Sequence, residues 1–367
     1  MKKNSLVIIC ACFLVFALLR YPQAMLAAGA KSVTLWFNQV LPSLFPFMVA
    51  CGLLLRMGAA EMVGEWLRPL MKPLFGLPGI AAFPFFLGIF SGYPMGAKIT
   101  ASLYEEKKIS ISQAEHILSF CNNPGPLFLV GTVAAAFFHA PFWGYLFLLC
   151  CFLGALTTGI LFRILYHQKN SMDFIPYQKT AAPSISECLP KTIADSLDTI
   201  AQIGGYIILF GVVVEAFKQT GIFEFLGHGL SFLPFSNEYL CGLCGGILEM
   251  TNGTFILSTA PDDLFLRLLA SCMLVGFGGL SILCQTFGIL RNVPIKKSRY
   301  VAAKLCNSVF SGIFFFIIAP FVEKYAQKTV PTLAVMAETA FSIPSLYINC
   351  SLLFFVFALF FGFFQRK

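Results

Sequence analysis

The sequence predicts an all-α polytopic membrane protein, with about eight transmembrane helices plus two re-entrant helical hairpins arranged in an inverted repeat. Three observations carry this. The 367 residues are 58% hydrophobic and only 11% charged, whereas soluble domains run near half apolar and a quarter charged. Too few charges exist to cover a water-soluble surface, and disorder is excluded too because it needs low hydrophobicity and high charge. Apolar runs of about 20 residues, enough to cross a bilayer, recur along the chain. Two further apolar stretches have polar, glycine-rich centres instead.

In order, the runs lie near 5–28, 33–57, 116–138, 142–166, 195–217, 264–290, 299–322 and 343–364. Residues 1–32 read as an N-terminal transmembrane helix. Lys2 and Lys3 before a short apolar core also suit a signal peptide, but Arg20-Tyr21-Pro22 interrupts the path to a cleavage site, so a retained helix is expected.

Basic residues mark the cytoplasmic side of such a chain. They gather at Lys2-Lys3, Arg68 and Lys72, Lys107-Lys108, Arg163 to Lys191, Arg291 to Arg299, and Arg366-Lys367. Both termini are therefore expected in the cytoplasm. Neutral or acidic loops at His139–Pro141, Glu224–Glu238 and Asp262-Asp263 mark the opposite side. The loop 323–342 fits least well, having Lys324 and Lys328 against Glu323 and Glu338.

Parity then decides the two odd stretches. Lys72 and Lys107 both belong in the cytoplasm, so 79–103 enters and leaves there. Glu238 and Asp262 both belong outside, so 239–260 enters and leaves there. Each becomes a hairpin, with Ser91–Gly96 and Glu249–Gly253 at the tips. Ordinary spans broken by Gly and Pro are the alternative, and they would reverse the charge pattern downstream.

The same parts occur twice. The first repeat, 33–138, holds a helix, the hairpin 79–103 and a broken helix 116–138. A linking helix and cytoplasmic loop fill 139–194, an odd crossing that turns the second repeat upside down relative to the first. That second repeat, 195–290, holds a helix, the hairpin 239–260 and a broken helix 264–290. Two transmembrane helices complete the chain over 291–367. Inverted repeats with paired broken helices point to a secondary transporter with its site at the midplane.

The breaks supply the chemistry. Pro124 and Pro126 have no amide hydrogen, so the carbonyls of Phe120 and Asn122 lose their helical partners. Such groups persist in a membrane only where they line a cavity or bind something. Asn123 is placed to cap the half-helix after the break. Freed carbonyls and Asn oxygens suit a cation, and the amide end of the half-helix suits a carboxylate. A packing kink is the alternative. Lys98 and Glu249 sit at or near the hairpin tips, where a charge costs about 2.5–3.5 kcal/mol on insertion scales. Lys98 suits attraction of an anion or a snorkelling role; Glu249 suits cation coupling, an ion pair with Lys98, or capping of Thr251 and Asn252. Gln285, Thr286 and Asn307 are weaker polar candidates.

Other classes find little support. The net charge of +8 is dispersed, which is no nucleic-acid footprint. Most of the thirteen cysteines lie in apolar runs, and the lone pair Cys241/Cys244 has no second pair to complete a zinc set. The four histidines are scattered and no nucleophile–base spacing emerges, so no catalytic residue, metal or cofactor is expected and the chain is not read as an enzyme.

Four blocks carry a resemblance: Leu41–Phe47 (L-P-S-L-F-P-F), Phe85–Lys98 (F-x-x-G-x-x-S-G-Y-P-x-G-A-K), Cys121–Pro126 (C-N-N-P-G-P) and Gly276–Gln285 (G-F-G-G-L-S-x-x-x-Q). Together they resemble the sporulation integral membrane protein YlbJ family, whose nucleoside-recognition or gate domain is shared with concentrative nucleoside transporters. The resemblance implies a fold similar to those transporters and a role in spore formation. It implies export of dipicolinate, a small organic dianion, from the mother cell across the outer forespore membrane. It also implies substrate-lining roles for Ser91, Gly92, Tyr93, Lys98, Asn122, Asn123, Gly125, Asn252, Gly278, Ser281 and Gln285. Glu249, Asn122 and the Phe120 carbonyl are the candidates for a coupling cation, sodium or proton. A nucleoside or other metabolite as cargo, and a non-transporting scaffold for spore assembly, remain as alternatives. The expected partners are a small anionic molecule and the lipid bilayer, with room for a homo-oligomer.

Overall fold

The computed structural model describes residues 2–166, 184–229 and 233–340. Met1–Phe315 form one compact unit and Phe316–Lys367 a second. Among the described residues every regular element is helical, as the composition requires. The run 343–364 and the last basic residues, Arg366-Lys367, lie outside the described residues, as does most of the loop after Tyr166.

The chain opens with α1 (Lys2–Arg20) and α2 (Pro22–Leu35). A single span is expected over 5–28, but the two helices meet at 107° across Tyr21. Pro22 starts the second helix, where its missing amide hydrogen costs nothing. A π-helical turn, Trp36–Val40, leads into α3 (Leu41–Arg56), which bends by 79° into α4 (Ala59–Phe75). Gly58 makes that corner in the left-handed conformation. In α4, Ala59, Ala60, Val63, Gly64, Leu67, Met71 and Phe75 face inward, while Trp66, Leu70 and Leu74 are exposed.

The first hairpin is α5 (Ala82–Ser91) and α6 (Met95–Glu105). A capping box at Ser110 and Gln113 then starts α7 (Ile111–Cys121). The helix stops there because neither Pro124 nor Pro126 can continue it, and a π-helix resumes at Leu127–Phe137. α8 (Pro141–Tyr166) is the linking helix, and α9 (Ile185–Gln219) opens the second set. After α10 (Ile222–Gly229), the second hairpin pairs α11 (Asn237–Leu248) with α12 (Met250–Thr259). Asp262 accepts from the Ser236 amide at 3.0 Å and holds the foot of that hairpin. Asp263 caps the next helix through the amides of Phe265 and Leu266. That helix is α13 (Leu264–Phe277), which breaks at Gly278 before α14 (Gly279–Ile289). The last element, α15 (Lys297–Ala340), is helical over the described part, 323–340, of the stretch expected as a loop.

Among the described residues the expected spans take several forms. Four helices are long and apolar enough to cross a membrane, Pro141–Leu165, Ile185–Gln219, Leu264–Ile289 and Lys297–Val322, and the two bent pairs raise this to six. The run 116–138 is divided by its prolines. The hairpin arms have 10 to 12 residues, so each is about 15–18 Å long at 1.5 Å per residue, half the hydrocarbon thickness. The protein is an integral, multi-pass membrane protein of the all-α class.

Phenylalanine, at 42 residues, builds the packing beneath the first break. Phe120 stacks on Phe75 with ring centroids 4.4 Å apart and meets Phe85 edge-on at 5.2 Å. Phe85 stacks on Phe152 at 5.9 Å. One aromatic cluster thus ties α4, α5, α7 and α8 together directly under the interrupted backbone. Ring pairs of this kind add ~0.5–1.5 kcal/mol beyond the area they bury.

Candidate transport site

The two breaks and the tip of the first hairpin meet in the interior. At the tip, Gly92 has φ +80° and ψ −170°, a region open essentially to glycine alone. A Cβ there would lie 2.6 Å from the amide nitrogen of Gly125, so hairpin and first break touch backbone to backbone. Next to it, the hydroxyl of Tyr93 donates to the carbonyl of Val275 at 3.1 Å, one turn before the second break. At that break Gly278, with φ +88°, stands where a Cβ would come 3.3 Å from the Tyr93 hydroxyl.

Each carbonyl freed by a proline has found a donor. Phe120 O accepts from Asn123 Nδ2 at 2.7 Å. Asn122 O accepts from the ammonium of Lys304 at 3.1 Å. Asn123 therefore folds back on the helix it leaves and is not the cap of the one ahead, which begins without a side-chain cap. Its Oδ1 accepts from Asn307 Nδ2 at 3.3 Å, and Asn307 Nδ2 also donates to Gly276 O at 3.1 Å. Asn122 Nδ2 donates to the Tyr300 hydroxyl at 2.7 Å and to Thr286 Oγ1 at 3.2 Å. The Asn122 side chain thus links the first break to α14 and α15, while Asn307 bridges both breaks.

Tyr300, Lys304, Asn307 and Ser311 recur every three or four residues and share one face of α15. All four are nearly or fully buried. Around them the side-chain oxygens of Asn122 and Asn307, and the Ser311 hydroxyl, are buried without a hydrogen-bond partner. Buried polar atoms are ordinarily paired, so these three oxygens have capacity for a further donor.

The sequence candidates divide into three groups. Gly92, Tyr93, Asn122, Asn123, Gly125, Gly278 and the Phe120 carbonyl are brought together at the breaks. Ser281 and Gln285 are buried on α14, and Ser91 donates back to Leu87 O on its own helix at 2.5 Å. Lys98 is half-buried on α6, and the ion pairs formed among the described residues do not include one between it and Glu249. Glu249 is occupied locally: its carboxylate accepts from the amides of Thr251 and Asn252 at 2.9 and 2.8 Å and from Asn252 Nδ2 at 2.8 Å. It is the cap of α12, one of the structural roles its position suits. The second hairpin still reaches the site, since a Cβ on Gly279 would stand 3.2 Å from Leu248 O.

Three residues of the cluster escaped the motifs, Tyr300, Lys304 and Ser311. For Lys304 a signal existed, because a lysine well inside an apolar helix is costly and rarely idle. It was masked by the cytoplasmic cluster ending at Arg299, just before it.

Comparison with known proteins gives the same outline. A family model described as Gate, nucleoside recognition, matches residues 37–140. The chain is 29% identical over 328 residues to sporulation integral membrane protein YlbJ of Bacillus subtilis (strain 168), covering 83% of this chain and 80% of that protein. The likeness is to YlbJ. The resemblance carried by four short blocks therefore extends over most of the chain. No solved structure matches. The Gate segment contains α3 to α7, the first hairpin and the first break. The second break and the polar face of α15 lie beyond it.

Proposed function

We propose that the protein carries a small organic anion across the membrane during sporulation, dipicolinate leaving the mother cell through the outer forespore membrane being the favoured cargo. The observation that supports this most is the meeting of two interrupted helices and a hairpin tip around buried polar groups. Interrupted helices are tolerated at membrane depth where they line a site, and paired breaks are the pattern of carriers that alternate access around one. The sporulation role and the cargo rest on the likeness to YlbJ. We place the substrate against Tyr93, Asn122, Asn123, Gly125 and Gly278, with Ser281 and Gln285 behind them. The Tyr93 ring suits an aromatic acid. We also place both termini in the cytoplasm, in keeping with the distribution of basic segments.

Uptake of labelled dipicolinate into proteoliposomes tests the function, with sodium and proton gradients imposed separately. Saturable uptake is expected; a correctly inserted protein that accumulates none under either gradient would reject it. A nucleoside cargo has one observation in its favour, the amide-rich lining from Asn122, Asn123 and Asn307 alongside the match to a nucleoside-recognition model. Competition decides between them: for a nucleoside carrier, nucleosides would displace labelled substrate and pyridine dicarboxylates would not. Topology is checked by labelling single cysteines introduced near 170 and 262, which should react from opposite sides.

A further inference from the structure

Oxygen atoms dominate the first break, as suits a cation, yet the place nearest the freed Asn122 carbonyl is taken by the chain itself. Lys304 is 1% exposed. Its ammonium donates to Asn122 O at 3.1 Å and to the Tyr93 hydroxyl at 2.8 Å, and it lies 4.8 Å from the centroid of the Tyr93 ring. Every one of these partners is neutral. Ion pairs form elsewhere in the fold, at Arg56–Asp195, Lys108 with Glu61 and Glu106, and Arg299–Glu115.

A carbonyl oxygen, a hydroxyl and an aromatic face are what a bare monovalent cation would also seek. The unpartnered Asn122 Oδ1 adds a further oxygen on the same residue. A side chain that brings its own ammonium into such a place forecloses it to ions from solution.

We propose that Lys304 is the resident cation of the first helix break, a tethered charge that holds the position a free coupling ion would otherwise occupy there. The carrier then needs no sodium at this break, because the Lys304 amine already fills the place beside Asn122 O and the Tyr93 hydroxyl. This rests on the transport reading for its meaning, but its decisive measurement does not require transport.

The test uses the full chain in detergent and compares unfolding midpoints in sodium, potassium and choline chloride at equal ionic strength. The wild-type midpoint is expected to be the same in all three. Lys304→Ala is expected to unfold earlier in choline chloride and to recover part of the loss, saturably, as sodium or potassium is added. Lys304→Gln serves the same purpose should the alanine variant aggregate, because it keeps donors and much of the volume. A saturable rise for the wild type in sodium over choline would overturn the proposal. So would variants that lose stability but respond to no monovalent cation. In proteoliposomes, wild-type uptake is expected to persist when choline replaces sodium; a sodium requirement would overturn the resident cation while leaving anion transport standing. Absence of uptake with every ion would reject the transport reading, and the unfolding data would then decide on Lys304 alone.

Discussion

Gly92 and Gly125 meet backbone to backbone, the Cα of Gly92 being 3.1 Å from where a Cβ on Gly125 would stand. The contact fixes the first hairpin to the first break, and neither residue can gain a methyl group without moving the other. Gly92→Ala is expected to be the more damaging change, because its backbone conformation adds ~1–3 kcal/mol of strain to the overlap. The unfolding midpoint should fall clearly for both variants. A Gly92→Ala protein with wild-type stability and uptake would remove this contact from the site.

Asn123→Ala strips the donor from the buried Phe120 carbonyl and the acceptor from Asn307 in one step. An unsatisfied buried group costs ~1–3 kcal/mol, so a loss of at least that size is expected in denaturant or thermal unfolding. Phe120→Leu offers a control that disturbs the aromatic cluster and leaves the carbonyl paired. Equal stability of Asn123→Ala and wild type would mean that the Phe120 carbonyl needs no donor from this side chain.

Glu249 acts here as a helix cap. Loss of a cap costs ~0.5–2 kcal/mol, and Glu249→Gln, with a single acceptor oxygen, should lose part of that. The dependence of uptake on sodium and proton gradients should be the same as in wild type. A variant that still exchanges substrate but no longer responds to a gradient would return Glu249 to the role of coupling group.

Lys108, in the turn after α6, joins Glu61 and Glu106 at 2.6 Å each. Burial pulls its pKa down, but the hydrogen bonds and charges of the two carboxylates outweigh that, and the net direction is upward from 10.5. A base whose folded pKa is raised stabilises the fold below its unfolded pKa and loses that contribution as pH climbs through the folded one. Lys108→Met should therefore lower the midpoint by a constant amount between pH 6 and pH 9, with the gap to wild type closing only above about 10.5. For partly exposed pairs the gap should be of order 1 kcal/mol. A difference that changes within the neutral range would show that another group controls this contact.

Much of the fold was readable because its signals are local. The hairpins expected at 79–103 and 239–260 correspond to Ala82–Glu105 and Asn237–Thr259, and N-N-P-G-P stops a helix by the chemistry of its own residues. The sharp corners at Tyr21 and Gly58 were not readable as angles, since an apolar run looks alike whether straight or bent. Asn123 shows the limit at the site: its identity suits a cap, and only the tertiary fold reveals that it turns back to Phe120. Tyr300 and Lys304 contact Asn122 across some 180 residues. No spacing rule connects positions so far apart, and Lys304 adjoins a run of charges whose plain explanation was orientation.

The Gate match ends at residue 140, yet apart from the bond between Asn123 and Phe120 O the partners of Asn122 and Asn123 described above, Thr286, Tyr300, Lys304 and Asn307, lie beyond it. The matched segment is thus a recurring sequence unit without being an autonomous one. Cut away from the rest of the chain, it would present its interrupted helix to lipid with polar groups uncovered. Expressed alone, that segment would leave the Asn122 carbonyl and side-chain amide without the partners that Thr286, Tyr300 and Lys304 supply.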